Sequence, residues 1–175
     1  DQPQAVALKV LNDNLGSITS LKRRFEREAR VLSKLDHPNV VYITDFGVVD
    51  GHTFIAMELL EGETLEHVLE QEPIDPDRAL TITKEILAGL AFAHARKVVH
   101  RDLKPANVFL CRGEDGKDVV KLLDFGLAKM LSIDDLSQDG TLTRKGRIVG
   151  TPAYMAPEQI TGVSLDVRAD VYSLG

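Results

Sequence analysis

The chain has 175 residues, of which 43% are hydrophobic and 27% charged; 27 acidic side chains against 21 basic ones give a formal charge of −6. This is the usage of a globular unit able to bury a core, and it excludes a disordered chain and a nucleic-acid binder relying on a broad basic surface. The single cysteine, Cys111, excludes an internal disulfide and a multi-cysteine zinc site, and no apolar run approaches the roughly 20 residues that cross a bilayer.

In chain order, Asp1 to Gln4 carry neither a signal-peptide pattern nor an initiator Met. Val6, Leu8 and Val10 then alternate with Ala7, Lys9 and Leu11, the period-two signature of a strand with two different faces. Leu21, Phe25, Ala29, Leu32 and Leu35 recur at helical spacing up to Asp36-His37-Pro38. Two strand-like runs, Val40 to Val49 and Thr53 to Leu60, flank Asp50-Gly51 and read as a hairpin. Glu61-Gly62-Glu63 reads as a linker between lobes, followed by a short helix over Leu65 to Glu70. Ala79, Ile82, Ile86, Leu90 and Ala93 mark a long amphipathic helix after Pro76-Asp77. Short strands are predicted at Val108–Leu110 and Val119–Leu123, and the aperiodic, hydroxyl-rich stretch from Leu131 to Arg147 reads as a mobile loop. The chain stops at Tyr172-Ser173-Leu174-Gly175 inside an apolar pattern, so both ends read as cut. Sheet-rich first and helix-rich afterwards, the order predicts an α+β fold of two lobes meeting near residues 58–63.

The segment richest in chemistry is His100-Arg101-Asp102-Leu103-Lys104-Pro105-Ala106-Asn107, which packs five polar groups into eight positions between a helix and a strand. A structural loop rarely needs so many, because every buried polar group must find a partner. Leu123-Asp124-Phe125-Gly126 follows, a carboxylate at a strand end before a flexible glycine. Then come Gly150-Thr151-Pro152-Ala153-Tyr154-Met155-Ala156-Pro157-Glu158 and Asp170-Val171-Tyr172-Ser173-Leu174-Gly175. Alone, Lys9 reads equally well as an edge-strand lysine that keeps a sheet soluble, and Glu28, among Glu26, Arg27 and Arg30, as a solvated helix charge.

In this order the motifs resemble the protein-kinase family, and their wording is most similar to the bacterial eukaryotic-like serine/threonine kinases. Seven specified residues of the first motif would arise by chance on the order of 10⁻⁹ per start position at average usage. The resemblance implies a partial bilobal kinase fold: residues 1–60 a small antiparallel-sheet lobe with one helix, then a hinge, and 61–175 an incomplete, mostly helical lobe. It implies transfer of the γ-phosphate of ATP, with Mg²⁺, to Ser/Thr hydroxyls of protein substrates. It further implies a cytoplasmic enzyme, whose parent protein could be tethered to the membrane by a segment outside these residues, with no nucleic-acid partner and no membrane segment here, and able to self-associate for trans-autophosphorylation.

Phosphoryl transfer asks for metal ligands, a cation on the phosphates and a carboxylate facing the attacking hydroxyl. The resemblance assigns Mg²⁺ to Asn107 and Asp124, the α/β-phosphates to Lys9 held by Glu28, the hydroxyl to Asp102, and the transferred phosphate to Lys104. Thr151 would bridge Asp102 and Lys104; with Lys104 it matches the serine/threonine branch, since tyrosine kinases usually carry Ala-Ala-Arg in the catalytic loop. Ala7 above and Phe109 below would sandwich the adenine, with Met57 as gatekeeper and Glu58 to Leu60 as the hydrogen-bonding hinge. Leu32, Ile43, Phe125 and His100 match a stacked apolar spine anchored by Asp170. Arg101 implies control by loop phosphorylation, at Thr143 first and Thr141 second, with Ser132 and Ser137 behind. Two departures stand out. No Gly-rich phosphate loop precedes Lys9, and the arginine that would pair with Glu158 is absent, so Glu158 should be exposed or protonated. The intact catalytic residues imply an enzyme, while the missing phosphate loop leaves a truncated, inactive binding or scaffolding module as the alternative.

Overall fold

The computed structural model describes residues 5–11, 19–113, 116–125, 152–161 and 165–175. Its first sheet is built from β1 (Val6–Leu11), β2 (Ile43–Val49) and β3 (His52–Glu58), antiparallel in the order β1-β3-β2. The β2–β3 turn takes positive φ at both Asp50 (51°) and Gly51 (84°), the geometry whose twist matches a two-residue hairpin. Helix α1 (Thr19–Leu32) packs on this sheet through Phe25, Ala29 and Leu32, all buried, and Phe25 meets Phe46 edge-on at 6.3 Å.

The run beginning at Val40 divides. β2 starts only at Ile43, because Asn39 to Val41 bond elsewhere: Val41 N–H donates to Leu122 O and Leu122 N–H to Asn39 O, each at 3.0 Å. These residues strap the first sheet to a second one made of β4 (Gly62–Thr64), β5 (Val108–Arg112) and β6 (Asp118–Leu122). The predicted linker is therefore partly strand. Gly62 has φ of 148°, and a Cβ there would lie 2.0 Å from Leu110 O, so only glycine lets β4 approach β5.

Thr64 ends β4 and caps α2 (Leu65–Gln71) by accepting from His67 N–H. Helix α3 (Pro76–Ala95) starts as its sequence prescribes, with Asp75 accepting from Asp77 and Arg78 N–H groups and proline in the first turn. Its buried stripe of Ile82, Ile86, Gly89, Leu90 and Ala93 packs against β6. Arg78 Nε ties the helix start to Asp118 at 2.7 Å, and that carboxylate raises the guanidinium pKa. Two short helices, α4 (Pro157–Thr161) and α5 (Arg168–Leu174), follow. Buried side chains from α1, both sheets and α3 form one continuous core, running from Phe25 through Val40 and Leu122 to Leu90. Among the described residues no helix is long and apolar enough to cross a membrane.

Candidate active site

The loop between α3 and β5 gathers the polar motif into one cluster. Pro105–Asn107 form a 3₁₀ turn that buries Asn107 and aims its amide at Asp102. Asn107 Nδ2 donates to Asp102 O at 2.7 Å and to Asp102 Oδ2 at 3.0 Å, while Lys104 Nζ lies 2.9 Å from the same Oδ2. Two acceptors facing the Asn107 nitrogen fix the orientation of the amide, leaving its carbonyl oxygen as a hard donor on the other side.

Beneath the cluster, His100 is fully buried and stacks on Phe125 with ring centroids 4.5 Å apart. Burial lowers its pKa, so the ring is neutral. Its partners then set the tautomer: Nε2–H donates to Leu123 O at 2.8 Å, and Nδ1 accepts from Asp102 N–H at 3.4 Å. Asp170, also fully buried, accepts from His100 N–H and Arg101 N–H, each at 2.8 Å, and lies 2.7 Å from His94 Nε2. One carboxylate on α5 thus satisfies two consecutive backbone N–H groups of the loop. His94 on α3 is its third partner.

Arg101 (φ 69°) and Asp124 (φ 59°) both occupy the left-handed region, which costs a non-glycine residue on the order of 1–3 kcal/mol. The left-handed backbone at Asp124 turns the chain just after β6, where the side chain meets the first sheet. There its Oδ2 lies 2.5 Å from Lys9 Nζ. The sequence expectation pairs Lys9 with Glu28; in the structure the Glu28 carboxylate faces the neighbouring Arg27 at 3.9 Å. A local basic residue on the helix surface supplies the charge Glu28 needs, and the ammonium goes to the half-buried carboxylate at the strand end.

Ala7 pairs with Met57, and Lys9 with Ile55, so Ala7 and Lys9 share one face of the first sheet. Phe109 lies opposite Lys121 in the second sheet. Leu32, Ile43, Met57, Asp124 and Phe125 share the lining of a cavity of about 20 Å³, room for little more than one water. Glu158 is half-buried in α4, in the field of the exposed Arg168. Gly126, Ser132, Ser137, Thr141, Thr143 and Thr151 lie outside the described residues. Sequence reasoning missed the ion pair between Lys121 and Glu58 and the contact of Asn39 with Glu85, because neither belongs to a contiguous motif.

The profile of the protein kinase domain matches residues 1–175. Among curated proteins the chain is similar to the serine/threonine-protein kinases pkn2 (43% identical, 97% of this chain, 20% of the relative) and pkn3 (45%, 98% and 31%) of Myxococcus xanthus. PrkC of Bacillus subtilis is 38% identical over 97% of this chain and 25% of its own length. The chain thus spans about a fifth to a third of these relatives. Among solved structures, the PknI kinase domain of Mycobacterium tuberculosis superimposes with a TM-score of 0.72 at 34% identity, covering 97% of this chain and 60% of that one.

Proposed function

Because the chain belongs to the protein kinase family, we propose that it carries the catalytic machinery of an ATP-dependent serine/threonine protein kinase. The observation that carries this reading is the cluster of Asp102, Lys104 and Asn107, within 3.0 Å of one another through the Asp102 carboxylate. Asp124, brought over by its left-handed φ, and Lys9 supply the other half of the site.

The donor set fits the proposed cofactor. The carbonyl oxygen of Asn107 and the carboxylate of Asp124 are hard oxygen ligands of the kind Mg²⁺ takes alongside water and phosphate oxygens. Mg²⁺ bound there would neutralise charge on the β- and γ-phosphates of ATP. Asp102 orients the Ser or Thr hydroxyl and receives its proton as the oxygen bonds to the γ-phosphorus. The bond from that phosphorus to the β,γ-bridging oxygen breaks, and ADP leaves. Lys104, fixed on Asp102, is placed to meet the transferred phosphoryl oxygens, and Lys9 the α- and β-phosphates, once it exchanges Asp124 for them. Preset cations of this kind act more strongly in a partly closed site than in water. Ala7, Met57, Glu58, Leu60 and Phe109 would hold the adenine, Thr151 would join Asp102 to Lys104, and Glu28 would steady Lys9 once α1 turns toward it. We take residues 1–60 and 61–175 as the two lobes, proteins as the substrates and the cytoplasm as the site of action. Self-association would deliver one copy's loop to another's site.

The test is transfer of radiolabel from ATP by the intact protein to a generic basic protein. Asp102→Asn should lower the rate by about 10²–10⁴-fold, the usual worth of a positioned acid–base group. Label should appear on Ser and Thr, and peptide mapping of the self-modified protein should find Thr143 first and Thr141 second. Equal rates for wild type and Asp102→Asn, or label confined to Tyr, would reject the reading.

A further inference from the structure

Lys121 belongs to none of the sequence motifs, yet its ammonium lies 2.7 Å from Glu58 Oε1, with the two side chains only 17% and 26% exposed. The same oxygen accepts from Tyr42 N–H at 2.8 Å, and Glu58 N–H donates to Tyr42 O at 2.9 Å. Glu58 is the last residue of β3 in the first sheet, and Lys121 sits in β6 of the second. One carboxylate therefore joins the two lobes directly, beside the covalent connection through Leu59 to Glu61.

Register shows what this bridge spans. Glu58 pairs across the sheet with Val6 and so projects from the face opposite to the neighbouring Ala7–Met57 pair; Lys121 is the cross-strand partner of Phe109. Cross-strand partners project from the same face of a sheet. The ion pair thus runs between the strand carrying the slot's upper side and the strand pair carrying its lower side.

The lobes are also joined one residue further along β6, where Leu122 exchanges backbone hydrogen bonds with Asn39 and Val41. That strap has no side chain to lose and would survive a change at Lys121. With the strap kept and the bridge gone, the first sheet has a pivot but no stop. The partly buried Glu58 carboxylate would then keep Tyr42 N–H but lose its partner on β6, and β3 would be freer to shift relative to the second sheet.

We propose that Glu58 and Lys121 are positioning residues that set the width of the adenine slot and so the affinity for nucleotide, a role that rests on the kinase reading above. Lys121 touches no reacting atom. Its loss should weaken ATP binding without slowing transfer from the bound complex.

Lys121→Met, Lys121→Gln and Lys121→Arg are compared in the intact protein. Expected are a KM for ATP raised about fivefold in Lys121→Met, as for loss of one partner of a partly buried pair, and kcat within about twofold of wild type. Lys121→Gln, which keeps a neutral donor, should fall between, and Lys121→Arg should return to within about twofold. Calorimetric dissociation constants for Mg·ATP on the same proteins separate the two ideas. Wild type that binds nucleotide but transfers nothing removes the kinase reading while leaving the bridge testable by affinity; wild type that binds none removes both. If Lys121→Met fails to fold, Lys121→Gln decides. Unchanged nucleotide affinity in the Met or Gln variant overturns the proposal, as does kcat falling in step with affinity and failing to recover in Lys121→Arg.

Discussion

A neutral imidazole at the bottom of the site makes stability depend on pH in a defined direction. Burial holds the His100 pKa below its ordinary 6.5, so between the two values the unfolded chain binds the proton and the folded one does not. Stability contributed by this group is fully present above pH 6.5 and is lost as pH falls below it, until the folded-state value is reached. Denaturant midpoints taken from pH 7.5 to 5 should decline with a slope of at most about 1.4 kcal/mol per pH unit from this one proton. In His100→Leu that component should vanish, leaving a less stable protein with a flatter profile; an unchanged slope would mean the ring is not the proton acceptor. Residues of this kind were legible in sequence only where they are neighbours. Asp102, Lys104 and Asn107 lie within six positions, so a polar cluster could be expected from their spacing, while the roles proposed for them come from the family resemblance. Lys121 and Glu58 lie 63 positions apart, and each alone looks like an ordinary solvated charge.

At the level of elements, α3 carries a groove for the strap. A Cβ on Gly89 would come 2.8 Å from Asn39 O and 2.9 Å from Leu122 Cδ1, while Asn39 Nδ2 reaches Glu85 at 2.9 Å one turn earlier on the helix. His37 stacks on Phe92 at 4.8 Å, one turn later. Glu85, Gly89 and Phe92 thus form a single helical face that accepts residues 37–39. Gly89→Ala would gain up to about 1 kcal/mol of helix propensity and incur roughly 1–3 kcal/mol of overpacking against a backbone oxygen that cannot move aside. The steric effect should win, lowering the thermal midpoint by several degrees; a midpoint equal to or above wild type would show that the strap yields. Helices α1 to α3 and the β2–β3 hairpin were readable from periodicity and turn chemistry, while α4 was not. The break at Val40 and the strand at Gly62 were not, because both are made by partners far along the chain: β6 captures the first, and β5 recruits the second.

Across the whole molecule, polar side-chain contacts among the described residues add to the continuous core that joins the two sheets: Lys9 with Asp124, Glu58 with Lys121, and Asn39 with Glu85 and Val120 O. A ligand bridging the lobes should therefore stabilise the fold as a unit. Mg·ATP at 100 times its dissociation constant should add about 2.7 kcal/mol to unfolding, read as a rise in thermal midpoint, and Asp124→Asn should abolish most of that rise. A rise of the same size in the variant would argue that the metal sits elsewhere. The general two-lobed plan could be foreseen from the order of elements, whereas the side chains that meet across the junction could not, since they lie far apart in the chain. The bond between Lys9 and Asp124 has one more outcome. If Asp124 is the metal ligand proposed, a bare divalent ion has to evict an ammonium to gain its seat, whereas the same ion carried on a triphosphate offers that ammonium new anions in exchange. Free magnesium should then load poorly by itself, and metal and nucleotide should arrive as a single passenger.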